Sequence, residues 1–356
     1  MTGRERFLAA MGHREPDTVP IFECVYSRPL FREVLGYVPE HFDPLSVFLC
    51  SEKIGYDFAF IPIPGTSGFR PEGMAGEYTD EWGITYRQDP STWPMDGIVQ
   101  PPLATAADWK NYRVPDAAAP WRWRGFREVM RMSRENGMGV VGNVRGPYSA
   151  AWMLFGMEAF SLLMYDEPEL VTRVLNALTD YAVTAFGIMK AEGVDAILFS
   201  DDYGATDQPL FSLNHFRQFF APQIQRLSDA ASRLNLPLIM HSDGHIRPFV
   251  ADAVDRGIRG LHPIERAAGM DLAEIKQAYG KRICLFGNVD NKYLLATGTP
   301  EEVGRQVKAC IRIAGKGGGY CLGSDHSVHD GIPNRNVFAL YEAGRRYGRY
   351  PLTDET

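Results

Sequence analysis

The stretch Val194-Asp-Ala-Ile-Leu-Phe-Ser-Asp201, an amphipathic run over residues 214–235, and then Leu236-Pro-Leu-Ile-Met-His-Ser242 together decide the fold. Each flanking stretch carries a short continuous apolar run that ends in polar residues, the pattern of a strand covered on both faces. A long helix between two such strands returns the chain to begin a parallel neighbour. The same strand pattern recurs at residues 19–25, 56–63, 138–145, 258–265, 282–289 and 318–324, which makes eight. Residues 247–256, Leu272–Tyr279 and Asn334–Tyr347 read as further helices. Thr2 with Glu5, Asp271 with Glu274, and Thr299-Pro300 with Glu302 have the spacing of helix starts with capping boxes. Eight strands with intervening helices predict an α/β fold, a (β/α)8 TIM barrel over residues 1–356. A doubly wound open sheet is the alternative, but no glycine-rich phosphate fingerprint follows the first strand.

The composition narrows the class. Of 356 residues, 45% are hydrophobic and 23% charged, as in globular proteins, so disorder and fibrous repeats are excluded. No apolar run approaches the roughly 20 residues of a membrane span. The first residues read as a helix start rather than a signal peptide. With 37 basic and 44 acidic residues the net charge is −7 and no basic stripe stands out, which argues against nucleic acid as a partner. Five scattered cysteines suit a reducing cytoplasm better than a disulfide framework.

Two long connections break the rhythm, at residues 64–137 and 147–193. The first carries Tyr78, Trp82, Tyr86, Trp93, Trp109, Trp121 and Trp123; the second carries Trp152, Phe155, Phe160 and Tyr165 ahead of a long helix. Such aromatic density argues against disorder and for aromatic-rich insertions after strands 2 and 3 that roof a site. A purely structural flap is the alternative.

Barrel enzymes carry their chemistry at the carboxyl ends of the strands. Here those ends offer Glu23, Asn143, Arg145, Asp201, Asp202, His241, Asp243, His262, Glu265, Asn288, Asp290, Asp325 and His326. Buried unpaired, such groups cost free energy, so their density points to a catalytic or binding mouth. His241 and Asp243 lie two apart on a strand end and face one cavity, which suits a divalent metal; a metal-free His–Asp hydrogen bond is the alternative. Glu265 and His326 are the further candidate ligands, and His245 is placed to orient a ligand from behind. Cys321, earlier in its strand, reads as core. Asp201 and Asp202 are adjacent, so at most one enters the cavity, as a catalytic acid with Arg145 nearby that holds a substrate cation or tunes a ligand; capping the following turn is the alternative. Glu23, Asn143, Asn288 and Asp290 are candidate substrate contacts.

At these residues the sequence resembles the uroporphyrinogen decarboxylase superfamily, a group of (β/α)8 barrels. The resemblance runs through Arg4-Glu-Arg-Phe7, Arg14-Glu-Pro-Asp-Thr-Val-Pro20, His241-Ser-Asp-Gly244, His262-Pro-Ile-Glu265, Gly269-Met-Asp-Leu272, Gly287-Asn-Val-Asp290 and Gly298-Thr-Pro-Glu301. It implies one of two chemistries. The decarboxylases grip porphyrinogen carboxylates with an arginine-rich N-terminal loop. Phe22-Glu-Cys-Val-Tyr-Ser-Arg-Pro29 lacks that motif and keeps Arg28 nearby. The corrinoid-dependent methyltransferases hold zinc by a His-x-Cys pair and a later Cys, beside an acid. By position the pair becomes His241 and Asp243, the acid Glu265, and the later Cys falls near His326. Losing both thiolates leaves a harder, more Lewis-acidic metal, suited to polarising an ether oxygen. The resemblance thus implies an O-demethylase methyltransferase. It would move methyl from a small methoxylated, aromatic substrate to a cobalamin-type corrinoid carried by a partner protein. Superfamily members vary in oligomeric state, and a homodimer is compatible with the resemblance. The rivals are a metal-independent lyase acting on a small carboxylated substrate with Asp201 or Asp202 and Arg145, and a non-catalytic partner subunit.

Overall fold

A computed structural model describes residues 1–41, 43–63, 70 and 72–352. A first helix, Gly3–Met11, starts on Thr2, whose side chain and Glu5 complete the expected capping box. Strand β1 (Val25–Tyr26) follows, then helices Arg28–Leu35 and Pro44–Ile54, and β2 (Phe58–Pro62), buried throughout. Strands β3 (Glu77–Thr79), β4 (Thr85–Arg87) and β5 (Gly97–Gln100) make a small antiparallel sheet within the long connection to β6 (Gly139–Arg145). Helices Pro147–Phe155, Met157–Asp166 and Pro168–Glu192 lead to β7 (Ala196–Ser200). From there β8 (Leu238–His241), β9 (Gly260–His262), β10 (Cys284–Phe286) and β11 (Tyr320–Cys321) alternate with helices; β12 (Val328–His329) precedes the last helix, Asn334–Tyr347.

The principal sheet is parallel and seven-stranded, in the order β2-β6-β7-β8-β9-β10-β11. It curls, because the segment at residues 19–22 hydrogen-bonds to both of its edges. The Leu322 amide donates to the Pro20 carbonyl and the Phe22 amide to the Leu322 carbonyl, while the Asp57 amide donates to the Ile21 carbonyl at 2.8 Å. Farther along, β1 pairs in parallel with β12. Because successive strand side chains alternate faces, Phe22, Phe58, Phe60, Val141, Leu198, Ile239 and Phe286 gather inside the curl as one buried cluster. Phe7 of the first helix closes one end, its ring 4.3 Å from that of Phe58. Each such ring contributes on the order of 1.5–3 kcal/mol by leaving water. Cys321 lies in this cluster, 3.9 Å from Cys284, as a core residue.

The other connections follow the sequence closely, with two differences. The run over residues 214–235 is helical but passes through a wider π turn at Phe216–Phe220. Asp271 caps its helix through the Glu274 amide, but the reciprocal half of the expected box is not formed. Thr299 and Glu302 do form a full box. No helix among the described residues is long and apolar enough to cross a membrane.

Candidate metal centre at the strand ends

The end of the curl opposite Phe7 opens into a cavity of about 470 Å³. Its wall follows from register. Arg145 on β6, Ser200 on β7, His241 on β8 and His262 on β9 are successive partners across the sheet. They stand at one level, one step above the apolar lumen, and all line the cavity. Asn143, two residues below Arg145 on the same face, takes a 2.7 Å hydrogen bond from the Ser200 hydroxyl.

At this level one ligand atom each from Asp202, His241 and Asp243 lie within 4.8 Å of one another. His241 Nδ1 is 2.7 Å from His262 Nδ1, one ring donating and the other accepting, and this bond aims Nε2 at the two carboxylates. The distances are 3.6 Å to Asp202 Oδ1 and 3.7 Å to Asp243 Oδ2. His262 is 3% exposed, and burial beside His241 pushes its imidazole well below the ordinary range, so it stays neutral. Burial and the neighbouring Asp243 raise the Asp202 carboxyl. Burial acts on Asp243 in the same direction, but His241 and His326 outweigh it and hold Asp243 well below the usual carboxylate range. Two carboxylates sharing a site are driven apart in this way. His326 Nε2 lies 3.3 Å from Asp243 Oδ2, and that bond pushes the His326 imidazole up to about 9.

The turn carrying Asp243 is built for close approach. Gly244 has φ +83°, and a Cβ there would stand 2.4 Å from the Gly204 backbone, so no other residue fits without displacing it. Glu265 Oε2 accepts the Gly244 amide at 2.5 Å. That commits Glu265 to holding the turn, and it stands outside the converging triad. His245 Nδ1 meets the Ala268 carbonyl, not a candidate ligand.

Several strand-end residues belong to the framework instead of the cavity. Asp201 points away from Asp202, as adjacent strand residues must. It is fully buried and accepts the Ser149 amide at 2.6 Å, the Tyr148 amide at 3.3 Å and the Tyr203 hydroxyl at 2.8 Å. It is therefore a helix cap, not the catalytic acid expected. Glu23 is 2% exposed, and its two oxygens accept the Ser324 amide and hydroxyl, tying the 19–22 segment to the last strands. Asn288 is buried with its amide on the Ile264 carbonyl. Asp290 caps the turn at Asn291–Leu295 through the Tyr293 amide. None of these three lines the cavity as a substrate contact. Conversely, His262 was visible in the sequence only as one strand end among many. Its role depends on a cross-strand partner 21 residues away. Cys24 and Tyr26 also line the cavity and stood out in no pattern.

Of the aromatics in the two long connections, Trp93 lines the cavity, within the segment 91–95. Trp82 packs on Tyr181, Trp109 on Tyr112, and Trp123 is buried on Phe126. Residues 64–69 and 71 of the first connection lie outside the described residues.

A carboxylate–imidazole cluster at the carboxyl ends of a curled parallel α/β sheet defines a centre suited to a divalent cation. The family model of uroporphyrinogen decarboxylase (URO-D) matches residues 84–347, and the chain belongs to that family. Among its relatives is a methylcobamide:CoM methyltransferase of Methanosarcina barkeri, 27% identical over 208 residues and 58% of each chain. The match thus spans less than two thirds of that relative's length. A uroporphyrinogen decarboxylase of Alkalilimnicola ehrlichii is 25% identical over 74% of this chain and 72% of its own. A solved methyltransferase from Methanosarcina mazei superposes over 98% of this chain and 99% of its own, with TM-score 0.74 at 23% identity, which establishes the shared fold.

Proposed function

We propose that the chain is one barrel domain, the 19–22 segment serving as eighth strand. It moves a methyl group from a small methoxylated substrate to a corrinoid borne by a partner protein. Zinc is the metal that suits the centre. Asp202, His241 and Asp243 would hold it, an N/O donor set that leaves room for a substrate atom. The observation that carries this reading is their convergence around an orphan. Asp243 Oδ1 is buried and makes no hydrogen bond among the described residues, an acceptor whose cost a cation would relieve. Bound there, zinc would supply a Lewis acid that polarises the oxygen bearing the methyl group.

The protein's own residues do the rest. His262 fixes the His241 ring, and Glu265 fixes the turn beneath Asp243. As methyl leaves, its oxygen gains negative charge and needs a proton. His326, its Nε2 3.3 Å from Asp243 Oδ2 on the cavity lining, is placed to supply one. Trp93 and Tyr26 wall the cavity against water.

Purified protein mixed with a reduced corrinoid protein and a panel of methoxylated compounds tests the reading. Methylcobalamin absorbance should develop with at least one of them, and should fall at least a hundredfold in His241→Ala. No methylcobalamin from any donor would sink it. A metal-independent lyase remains the second reading because Asp202 and Arg145 share the cavity. Activity that survives complete chelation, with carbon dioxide as product, would favour it.

A further inference from the structure

Trp93 stands between two cavities. One is the chamber of about 470 Å³ at the strand ends. The other is a compartment of about 160 Å³ bordered by Arg28, Glu40, Arg70, Asp89, Trp93 and Asp96. Among the described residues, Trp93 is the one that both linings share. Its ring is held in place. Phe31 meets it edge-on with centroids 5.9 Å apart, and the Arg28 guanidinium lies 5.9 Å from its centre. Arg28 also fixes the segment that carries Trp93: its Nη2 donates to the Pro90 carbonyl at 2.8 Å, while its Nε donates to Asp330 Oδ2 at 2.6 Å.

This partition lies across the chamber from the candidate metal centre. β8, which carries His241, is the middle strand of seven, and the 19–22 segment bonds to both edges of that sheet. His241 therefore faces the 19–22 side of the curl. The helix Arg28–Leu35, on which Trp93 rests, continues from that side through β1. A ligand anchored at His241 points its far end at the indole. Beyond the indole, the compartment matches in size a cavity of about 150 Å³, which is enough for one benzene ring. Its lining is charged, so a ring entering it needs a polar group at its tip.

We propose that Trp93 sets the length of donor that the protein accepts, its indole closing the chamber to a molecule with a second ring in line. The inference rests on the methyl-transfer reading for the end placed at His241; the partition stands on the two cavities alone.

Two neutral probes decide it, 4-methoxyphenol with one ring and 4′-methoxybiphenyl-4-ol with two. Each is titrated calorimetrically into the full-length protein without corrinoid. Apolar area alone favours the two-ring compound, so tighter binding of the one-ring compound by wild type reports a wall. Trp93→Ala joins the compartment to the chamber and should shift the affinity ratio at least tenfold toward two rings. Met95→Ala trims an exposed residue that lines the chamber but not the compartment, and should leave the ratio in place. Trp93→Phe keeps a ring in the partition and should keep the one-ring preference. Tighter binding of the two-ring compound by wild type overturns the proposal, as does no binding of either. So does a ratio that Trp93→Ala shifts less than tenfold, or that Met95→Ala shifts as far. The wild-type comparison stands even if a variant fails to fold. Methylcobalamin formation with the same compounds separates the two claims. Size-selective binding without methyl transfer removes the methyltransferase reading and keeps the partition, whereas methyl transfer from both compounds at equal rates does the reverse.

Discussion

His262 illustrates how one buried side chain governs another. Its Nδ1 fixes one face of the His241 ring, so the other nitrogen has a single direction left, toward Asp202 and Asp243. Removing such a partner typically costs a metal site about 10- to 100-fold in affinity. His262→Ala should therefore weaken zinc binding by that factor in chelator competition while the fold persists; unchanged affinity would show that His241 needs no support. Asp243 exerts a comparable hold on His326. In metal-free protein, NMR titration should place His326 near pH 9, and Asp243→Asn should return it toward the ordinary imidazole range. The sign follows from linkage. A histidine raised on folding adds stability that is whole below about pH 6.5 and is lost as pH rises through about 9. His326 is half exposed, so the gain is small, at most about 1 kcal/mol.

At the level of elements, the helix Pro147–Phe155 begins on a carboxylate donated by another strand. No side chain of its own N-cap, Gly146, serves it; Asp201 does. Gly146 is required there, because a Cβ would lie 2.2 Å from Asp201 Cγ. Asp201→Ala should cost about 1–3 kcal/mol in urea unfolding, since two buried amides lose their acceptor. Burial pushes the Asp201 carboxyl up to about 7 and that of Glu23 up to about 8. Raised acids make stability greatest below their ordinary value near 4, and it declines as pH rises through about 7 and 8. Unfolding free energy should fall over that window in wild type and flatten in the Asp201→Asn, Glu23→Gln double variant. A profile unchanged by the substitutions would show that other groups set it. The capping boxes at Thr2 and Thr299 were legible beforehand because donor and acceptor lie three residues apart in one helix. The Asp201 cap was only half legible: alternation said one of the adjacent pair must turn outward, but not which, or onto what.

For the whole molecule, a cation held by Asp202, His241 and Asp243 would join the ends of β7 and β8, which are far apart in sequence. Zinc at a hundredfold excess over its dissociation constant should stabilise the protein by about 2.7 kcal/mol, a rise of several degrees in Tm. That rise should vanish in the Asp202→Ala, Asp243→Ala double variant; an equal rise there would place the metal elsewhere. The sequence alone determined the parallel α/β order and seven of the eight expected strands, because apolar runs and helix caps are local and repeat with a fixed period; the stretch at residues 19–25 forms a strand only at Val25–Tyr26, outside the seven-stranded sheet. The sequence also placed His241 and Asp243 two apart at a strand end, where both can face one cavity, and the turn after β8 brings them together. Tertiary structure decided which strand ends become a site. Glu23, Asp201, Asn288 and Asp290 carry the same chemistry as Asp202 and Asp243, yet their carboxylates and amide are spent on backbone and hydroxyl groups of neighbouring segments. His262 gains its role only from lying beside His241 in register. Hydrogen-bond partners brought together by sheet curvature are properties of the folded chain, and no pattern along the sequence encodes the distance between them.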